Sequence, residues 1–487
     1  MEKISVRGTA LVDEYGRERI FNGVNLVCKA GDGRVPENWT EDMFKRLGEL
    51  GVNLVRLGLI WSAIEPLPGV YNDQYLDKME RFIDFCNKYG IYVYLDMHQD
   101  VWCAVRGYDD GAPPWATLTD GYQFKQPKVI WAEGYYFGKA THRAFDHFWA
   151  NDKVGNRGLQ DYFADMWKYV VLRFKDKENI LGYDVFNEPF PGSDGGRAFK
   201  KMLGSAVKTI LSKKVNKVQA LKNIIKGDLA AEALAVLDDP EVLRSGTSGA
   251  DELIRKFDTE KYYPFLKKIA GEIRSVTDNG IIFMEACYYS NISVPCSTER
   301  IRYDNGKIEE NLVFSPHGYD LTVDSYMTNT ASNARVETIF NGHKRTQQRL
   351  GVPVIVGEWG GMVPGCGEYP HLEHLLEYFD DNRWSHTYWA FWPELAEEKI
   401  MRIIARPYPA AVPGKIEKYN FNRKTNTFTL KFTSDGNSEK QVEIYSPAAP
   451  AEIISKNEAE IEKIGDSQAV IIRIPPSEGE NEIEVKL

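Results

Sequence analysis

From about residue 20 to residue 392, short runs of apolar, often β-branched residues alternate with stretches of helical period. The candidate strands are Phe21–Val27, Asn53–Ile60, Ile91–Met97, Ile180–Phe186, Gly280–Met284, Leu312–Ser315, Val354–Val356 and Thr387–Phe391. Candidate helices between them include Tyr75–Lys88, Leu159–Phe174, Ala334–Arg349 and His371–Phe379. Eight strand–helix units predict a (β/α)8 barrel, an α/β TIM barrel, with a doubly wound open sheet as the alternative. No Gly-x-Gly-x-x-Gly follows the first run, which weakens a dinucleotide-binding reading.

Residues 4–22 read as a β-hairpin that plugs the barrel floor. Two insertions break the rhythm. Residues 99–156 carry Trp102, Trp115, Tyr122, Trp131, Tyr135, Tyr136 and Trp149 without clear period. So long a loop in a compact domain is usually functional, and it reads as a rim of a cleft, against the alternative of a packed excursion. Residues 193–258 contain, from Gly195 to Gly227, no acidic residue. There Val207, Ile210, Leu211, Val215, Val218, Leu221 and Ile225 recur at helical spacing, with lysines between them. Residues 205–226 thus form either a basic amphipathic helix that touches an anionic membrane or micelle, or a lid packed on the barrel. After the proline-rich connector 406–414 the pattern becomes short alternating runs, such as Phe428–Thr433 and Gln468–Ile474, expected of an antiparallel β-sandwich. The division expected is a catalytic barrel over 1–408 and a sandwich over 409–487.

Two of the runs end in a carboxylate. Ile180–Phe186 runs into Asn187-Glu188-Pro189, where proline cannot continue a strand ladder, and Val352–Val356 runs into Gly357-Glu358-Trp359-Gly360-Gly361. The carboxyl ends of barrel strands are where such folds carry chemistry. Either glutamate alone could be a solvated loop residue. As a pair they supply what glycosidic cleavage needs: a protonated acid beside the leaving oxygen and an ionised nucleophile across the sugar. Other strand ends add Lys29, Arg56, His98, Asp100, His317, Tyr319 and Trp392. Each has a bland reading, Arg56 as a core ion pair, His98 as a satisfied histidine, Trp392 as packing; together they converge on one rim.

A net charge of −10 argues against a general nucleic-acid binder. The six cysteines are scattered, with no Cys-x-x-Cys or Cys/His spacing, so neither zinc nor any other metal or cofactor is expected. The opening Met1-Glu-Lys-Ile-Ser-Val-Arg has no apolar signal core, leaving a cytoplasmic location or a secreted protein whose signal was removed.

Val-Asn-Leu-Val-Cys-Lys29, Asp96-Met-His98-Gln-Asp100-Val-Trp102, Ala144–Trp149, Phe186-Asn-Glu-Pro189, Gly357-Glu-Trp-Gly360 and Arg406-Pro-Tyr-Pro-Ala-Ala-Val412 resemble the endoglycoceramidases of glycoside hydrolase family 5. The resemblance spans nearly the whole chain and thins in 193–258 and after 415. It implies a retaining barrel enzyme, without cofactor, that splits glycan from ceramide in glycosphingolipids. Glu188 would be the acid/base and Glu358 the nucleophile. Asn187 would hold the sugar 2-hydroxyl, Tyr319 and Arg56 would bond Glu358, and His317 would sit by the acid. Lys29, His98 and Asp100 would bind hydroxyls, and Trp392 would be the stacking floor. A single-sugar β-glucosidase acting on glucosylceramide or a steryl glucoside is the near alternative, and an endo-β-glucanase or mannanase a further one. A glycan-binding protein without catalysis would be expected to lack one glutamate; both are present.

Overall fold

The eight runs are the eight strands of a closed parallel barrel. The computed structural model describes all residues except 104–109, 129, 213–233, 324, 326, 327, 363, 366, 368 and 437–439. The barrel strands are Asn22–Leu26, Leu54–Ile60, Tyr92–His98, Ile180–Asp184, Ile281–Met284, Leu312–Phe314, Ile355–Val356 and Ser385–Tyr388. Neighbours in chain order pair in parallel, and the last pairs with the first, His386 opposite Asn22. The ring closes at a parallel bridge between Phe314 and Val354. Every strand residue except Ile180 is buried, which is why these runs are continuously apolar rather than alternating.

The lower barrel is filled by Leu54, Tyr92, Tyr94, Leu181, Phe283 and Val313, with the rings of Tyr94 and Phe283 stacked at 4.2 Å. Each such side chain contributes about 1.5–3 kcal/mol relative to exposure. Gly182 is required here, since a Cβ would lie 2.1 Å from the Ile281 carbonyl oxygen. Ile4 and Leu11 join this cluster from below. The N-terminal segment is three strands rather than a simple hairpin: Ile4–Arg7, Ala10–Asp13 and Arg17–Arg19. It has a second task. These strands run on into a seven-stranded antiparallel sheet with Tyr408–Pro413, Val442–Ser446, Val470–Ile474 and Glu460–Lys463. A four-stranded sheet, led by Lys415–Asn422 and Thr427–Ser434, supplies Phe428, Leu430 and Phe432 to the core shared with Ile444 and Ile472.

The insertion 99–156 folds largely inward. Trp102, Tyr135 and Trp149 are buried, Trp102 edge-on to Phe145 at 4.8 Å and Trp149 edge-on to Phe265 at 5.4 Å. Of the expected rim aromatics, Trp131 and Tyr136 reach the cleft. In the second insertion the helix Ser193–Ser212 packs against Pro240–Thr247. Most of the expected amphipathic stretch, residues 213–226, lies outside the described residues. No helix among the described residues is long and apolar enough to cross a membrane.

Barrel and sandwich are locked by buried polar contacts. Tyr408 and Tyr445 donate to the carbonyls of Gly51 and Glu49 at 2.8 and 3.0 Å. Arg406 pairs with Asp380, both 3% exposed in their side chains. Removing one partner of such a pair strands a buried charge, at a cost of about 3–5 kcal/mol. Arg406→Ala should therefore lower the unfolding free energy, read from a urea titration, by that amount. Asp380→Leu combined with Arg406→Met should lose clearly less.

Candidate active site

The strand ends meet at a cavity of about 540 Å³ at the carboxyl face of the barrel. Lys29, Asp100, Glu188, Asn291, Tyr319, Glu358 and Trp389 form its polar part, and Ile130, Trp131, Tyr136, Tyr288, Ile292, Leu321 and Val323 its apolar wall. A carboxylate oxygen of Glu188 and one of Glu358 lie within 4.8 Å of each other, both also within that distance of a ring nitrogen of His317.

The two glutamates have different surroundings. Glu358 Oε1 accepts from Arg56 Nη1 at 2.6 Å and Oε2 from the Tyr319 hydroxyl at 2.7 Å. Gly357 before it has no room for a side chain, because a Cβ would meet His317 Nε2 and Ser315 Oγ at 2.8 Å. Glu188 is buried, and its Oε1 accepts from Asn291 Nδ2 at 2.9 Å and faces His317 Nδ1 at 3.0 Å. Burial is the main cause that pushes Glu188 up to about 7; His317 opposes it, while Glu358 and Asp100 add to it.

Arg56 is wholly buried beneath the cavity. Besides Glu358 it binds Asp184 (3.0 Å), Asp96 (2.9 Å), Glu285 (2.7 Å), Asn25 (3.1 Å) and Asn187 (2.9 Å). Asn187 faces this guanidinium with its oxygen and donates from its amide nitrogen to the Gln99 carbonyl at 2.9 Å. His98 accepts or donates at Asp96 across 2.8 Å. Burial opposes charge on its ring, yet Asp96 and Asp100 push it up to about 10. Lys29 pairs with Asp100 and sits 3.8 Å from Asp110, a buried acid.

The structure moves one expected residue out of the site. Trp392 is 37% exposed and does not line the cavity. Trp389 holds that place: its ring stacks on His98 at 5.3 Å and 14°, with the Lys29 ammonium 4.9 Å above its face, and a cis peptide joins it to Ala390. The last barrel strand ends at Tyr388 instead of Phe391, so the rim position falls three residues earlier. Sequence reasoning also missed Glu285, Asn291, Asp184 and Asp110. Glu285 follows the fifth strand, and the rule that found the other strand-end residues would have found it; Asn291 lies in a turn with no such mark.

Residues 12–395 match the model for cellulase (glycosyl hydrolase family 5), and residues 406–486 that for the glycoside hydrolase family 5 C-terminal domain. The chain is 36% identical to an endoglycoceramidase of Cyanea nozakii over 209 residues, 37% of this chain and 40% of that protein, so it spans well under half of that relative's length. It is 22% identical to endoglycoceramidase I of Rhodococcus hoagii over 443 residues, 88% of this chain and 76% of that one. The solved endo-glycoceramidase II from Rhodococcus sp. shares the fold, with a TM-score of 0.72 at 23% identity over 99% of both chains. With the barrel and the C-terminal sheet domain both matched, the chain belongs to glycoside hydrolase family 5.

Proposed function

We propose that this protein is a retaining β-glycosidase that cuts the bond between glycan and ceramide in glycosphingolipids. The observation that carries the reading is the pair Glu188 and Glu358, with oxygens within 4.8 Å and opposite surroundings. Retaining enzymes hold their carboxyls about 5–5.5 Å apart, whereas inverting ones need about 6.5–9.5 Å to admit a water. Glu358, held by Arg56 and Tyr319, attacks the anomeric carbon. Glu188 gives its proton to the departing oxygen, then takes one from the water that hydrolyses the glycosyl ester.

The leaving group departs on the Glu188 side, and that side is apolar. Tyr288 follows Pro189 across the cleft, with its N–H on the Pro189 carbonyl at 3.1 Å, and its hydroxyl meets that of Tyr136 at 2.8 Å. Tyr136 stacks on Phe199 at 4.3 Å, and Phe199 meets Phe137, which is 62% exposed. Leu203 and Val207 are exposed one and two helical turns beyond Phe199, among Lys200, Lys201 and Lys208. This track suits a lipid aglycone better than a second sugar, and its apolar outer end ringed by lysines suits an anionic bilayer or micelle. The polar side, with Lys29, Asp100 and Trp389, receives the sugar. The relatives named endoglycoceramidase support the same substrate class.

Four outcomes test this reading. Incubated with lactosylceramide, the protein should release intact lactose and ceramide; release of glucose from glucosylceramide alone would instead favour the single-sugar enzyme. Glu188→Gln and Glu358→Gln should each lower kcat/KM on lactosylceramide by at least about 10²–10⁴-fold with an unchanged circular dichroism spectrum. Because Glu188 must be protonated to act, the wild-type kcat/KM should fall as pH rises through about 7. Replacing Phe137, Leu203 and Val207 together with serine should slow cleavage of lactosylceramide in anionic vesicles about tenfold or more, and leave a soluble aryl lactoside unaffected.

A further inference from the structure

The fifth barrel strand delivers a side chain that the steps above leave unused. Glu285 is 1% exposed, directly after Ile281–Met284. Its Oε2 accepts the backbone N–H of Glu188 at 2.6 Å. Its Oε1 accepts from Arg56 Nη2 at 2.7 Å and faces His317 Nε2 at 3.3 Å. The other ring nitrogen of His317 stands 3.0 Å from Glu188 Oε1. Glu285 therefore reaches the proton donor twice, at its backbone directly and at its carboxyl through one imidazole.

Both contacts matter for the geometry. Glu188 has φ +45°, in the left-handed region. A non-glycine residue is strained there and persists only where its surroundings impose it. A short bond from its N–H to a carboxylate is such an imposition. At the carboxyl, Oε1 receives the Asn291 amide and faces His317, so its lone pairs are occupied when that ring carries both protons. The transferable proton then belongs on Oε2.

We infer that Glu285 is a positioning residue for the proton donor: it fixes the Glu188 backbone in its left-handed turn and keeps His317 doubly protonated, so that Glu188 carries its proton on Oε2. The inference rests on the reading of Glu188 as the acid. The groups facing this pair are consistent with it. His317 meets Glu188, Glu285 and, at 3.5 Å, Glu358, while His343 bonds its carbonyl at 2.9 Å. Glu285 meets Arg56 and lies among the carboxyls of Asp96 and Asp184. Burial alone would discharge the His317 ring, but Glu285 and Glu358 outweigh it and hold it well above the ordinary histidine range.

The test compares two leaving groups on Glu285→Gln. For octyl β-lactoside, whose leaving oxygen needs a proton, kcat/KM should fall about 10²-fold or more; for 2,4-dinitrophenyl β-lactoside, which needs none, it should fall less than about tenfold. The ratio of the two, taken on one sample, does not depend on how much protein is folded. The alkaline limb for the octyl substrate should move to higher pH, because Glu188 loses the cation nearest its carboxyl. Glu285→Asp, which keeps the charge, should change the ratio in the same sense but less. Equal losses on both substrates, or an unmoved limb, would overturn the role of Glu285. If Glu188→Gln, measured alongside, shows no leaving-group dependence, the reading of Glu188 itself fails.

Discussion

One guanidinium joins most of the barrel's upper layer. Arg56 rises from the second strand and touches Asn25 on the first, Asp96 on the third, Asp184 and Asn187 on and after the fourth, Glu285 after the fifth and Glu358 after the seventh. Only arginine offers five donors in a rigid plane, and its guanidinium stays charged even when buried. Four carboxyls around one cation cannot all be ionised cheaply in a dry interior. The excess settles on Asp184: burial and the neighbouring Glu285 hold it well above the ordinary carboxylate range despite Arg56, whereas His317, Arg56 and the Glu188 N–H overcome burial and keep Glu285 below it.

That charge arrangement sets the difference between the two glutamates at the cleft. Glu358 is bonded by a permanent cation and a hydroxyl; Glu188 is out of reach of Arg56 and bonded by an amide and an imidazole. The same division continues outward. Beyond Glu358 lie Lys29, Asp100 and His98 with the Trp389 ring, a surface of donors and acceptors around one aromatic face. Beyond Glu188 lie Tyr136, Tyr288 and Phe199, a surface of rings that leads to solvent. Under the proposed function that contrast would sort a sugar from a hydrocarbon chain, since polar groups buried without partners cost energy and apolar area gains it.

The barrel was legible because its strands are covered on both faces, which makes continuous apolar runs, and because helical and strand periods alternate. Strand ends were legible only within a few residues, and this is where the reading slipped. Extending the eighth strand to Phe391 put the rim tryptophan at 392, whereas chain geometry puts it at 389. The N-terminal strands could be read as a plug, through Ile4 and Leu11, but not as part of the C-terminal sheet, because pairing of Arg17–Arg19 with Tyr408–Pro413 joins segments nearly 400 positions apart. The aromatic insertion looked like a rim throughout; burial shows that Trp102, Tyr135 and Trp149 are core and that Trp131 and Tyr136 face the cleft.

By itself the sequence determined the periodicities, and with them the class of fold, the sandwich that follows it, and the polar residues that each strand end presents. Those are local properties, set by which side chains must be covered and where the chain must turn. Tertiary structure alone decided that Glu188 and Glu358, 170 positions apart, come within 4.8 Å, that Glu285 grips the backbone of one and the arginine of the other, and that burial pushes Glu188 upward. Distance across a closed barrel and the loss of water around a buried carboxyl are properties of the assembled interior, and no stretch of the chain carries them alone.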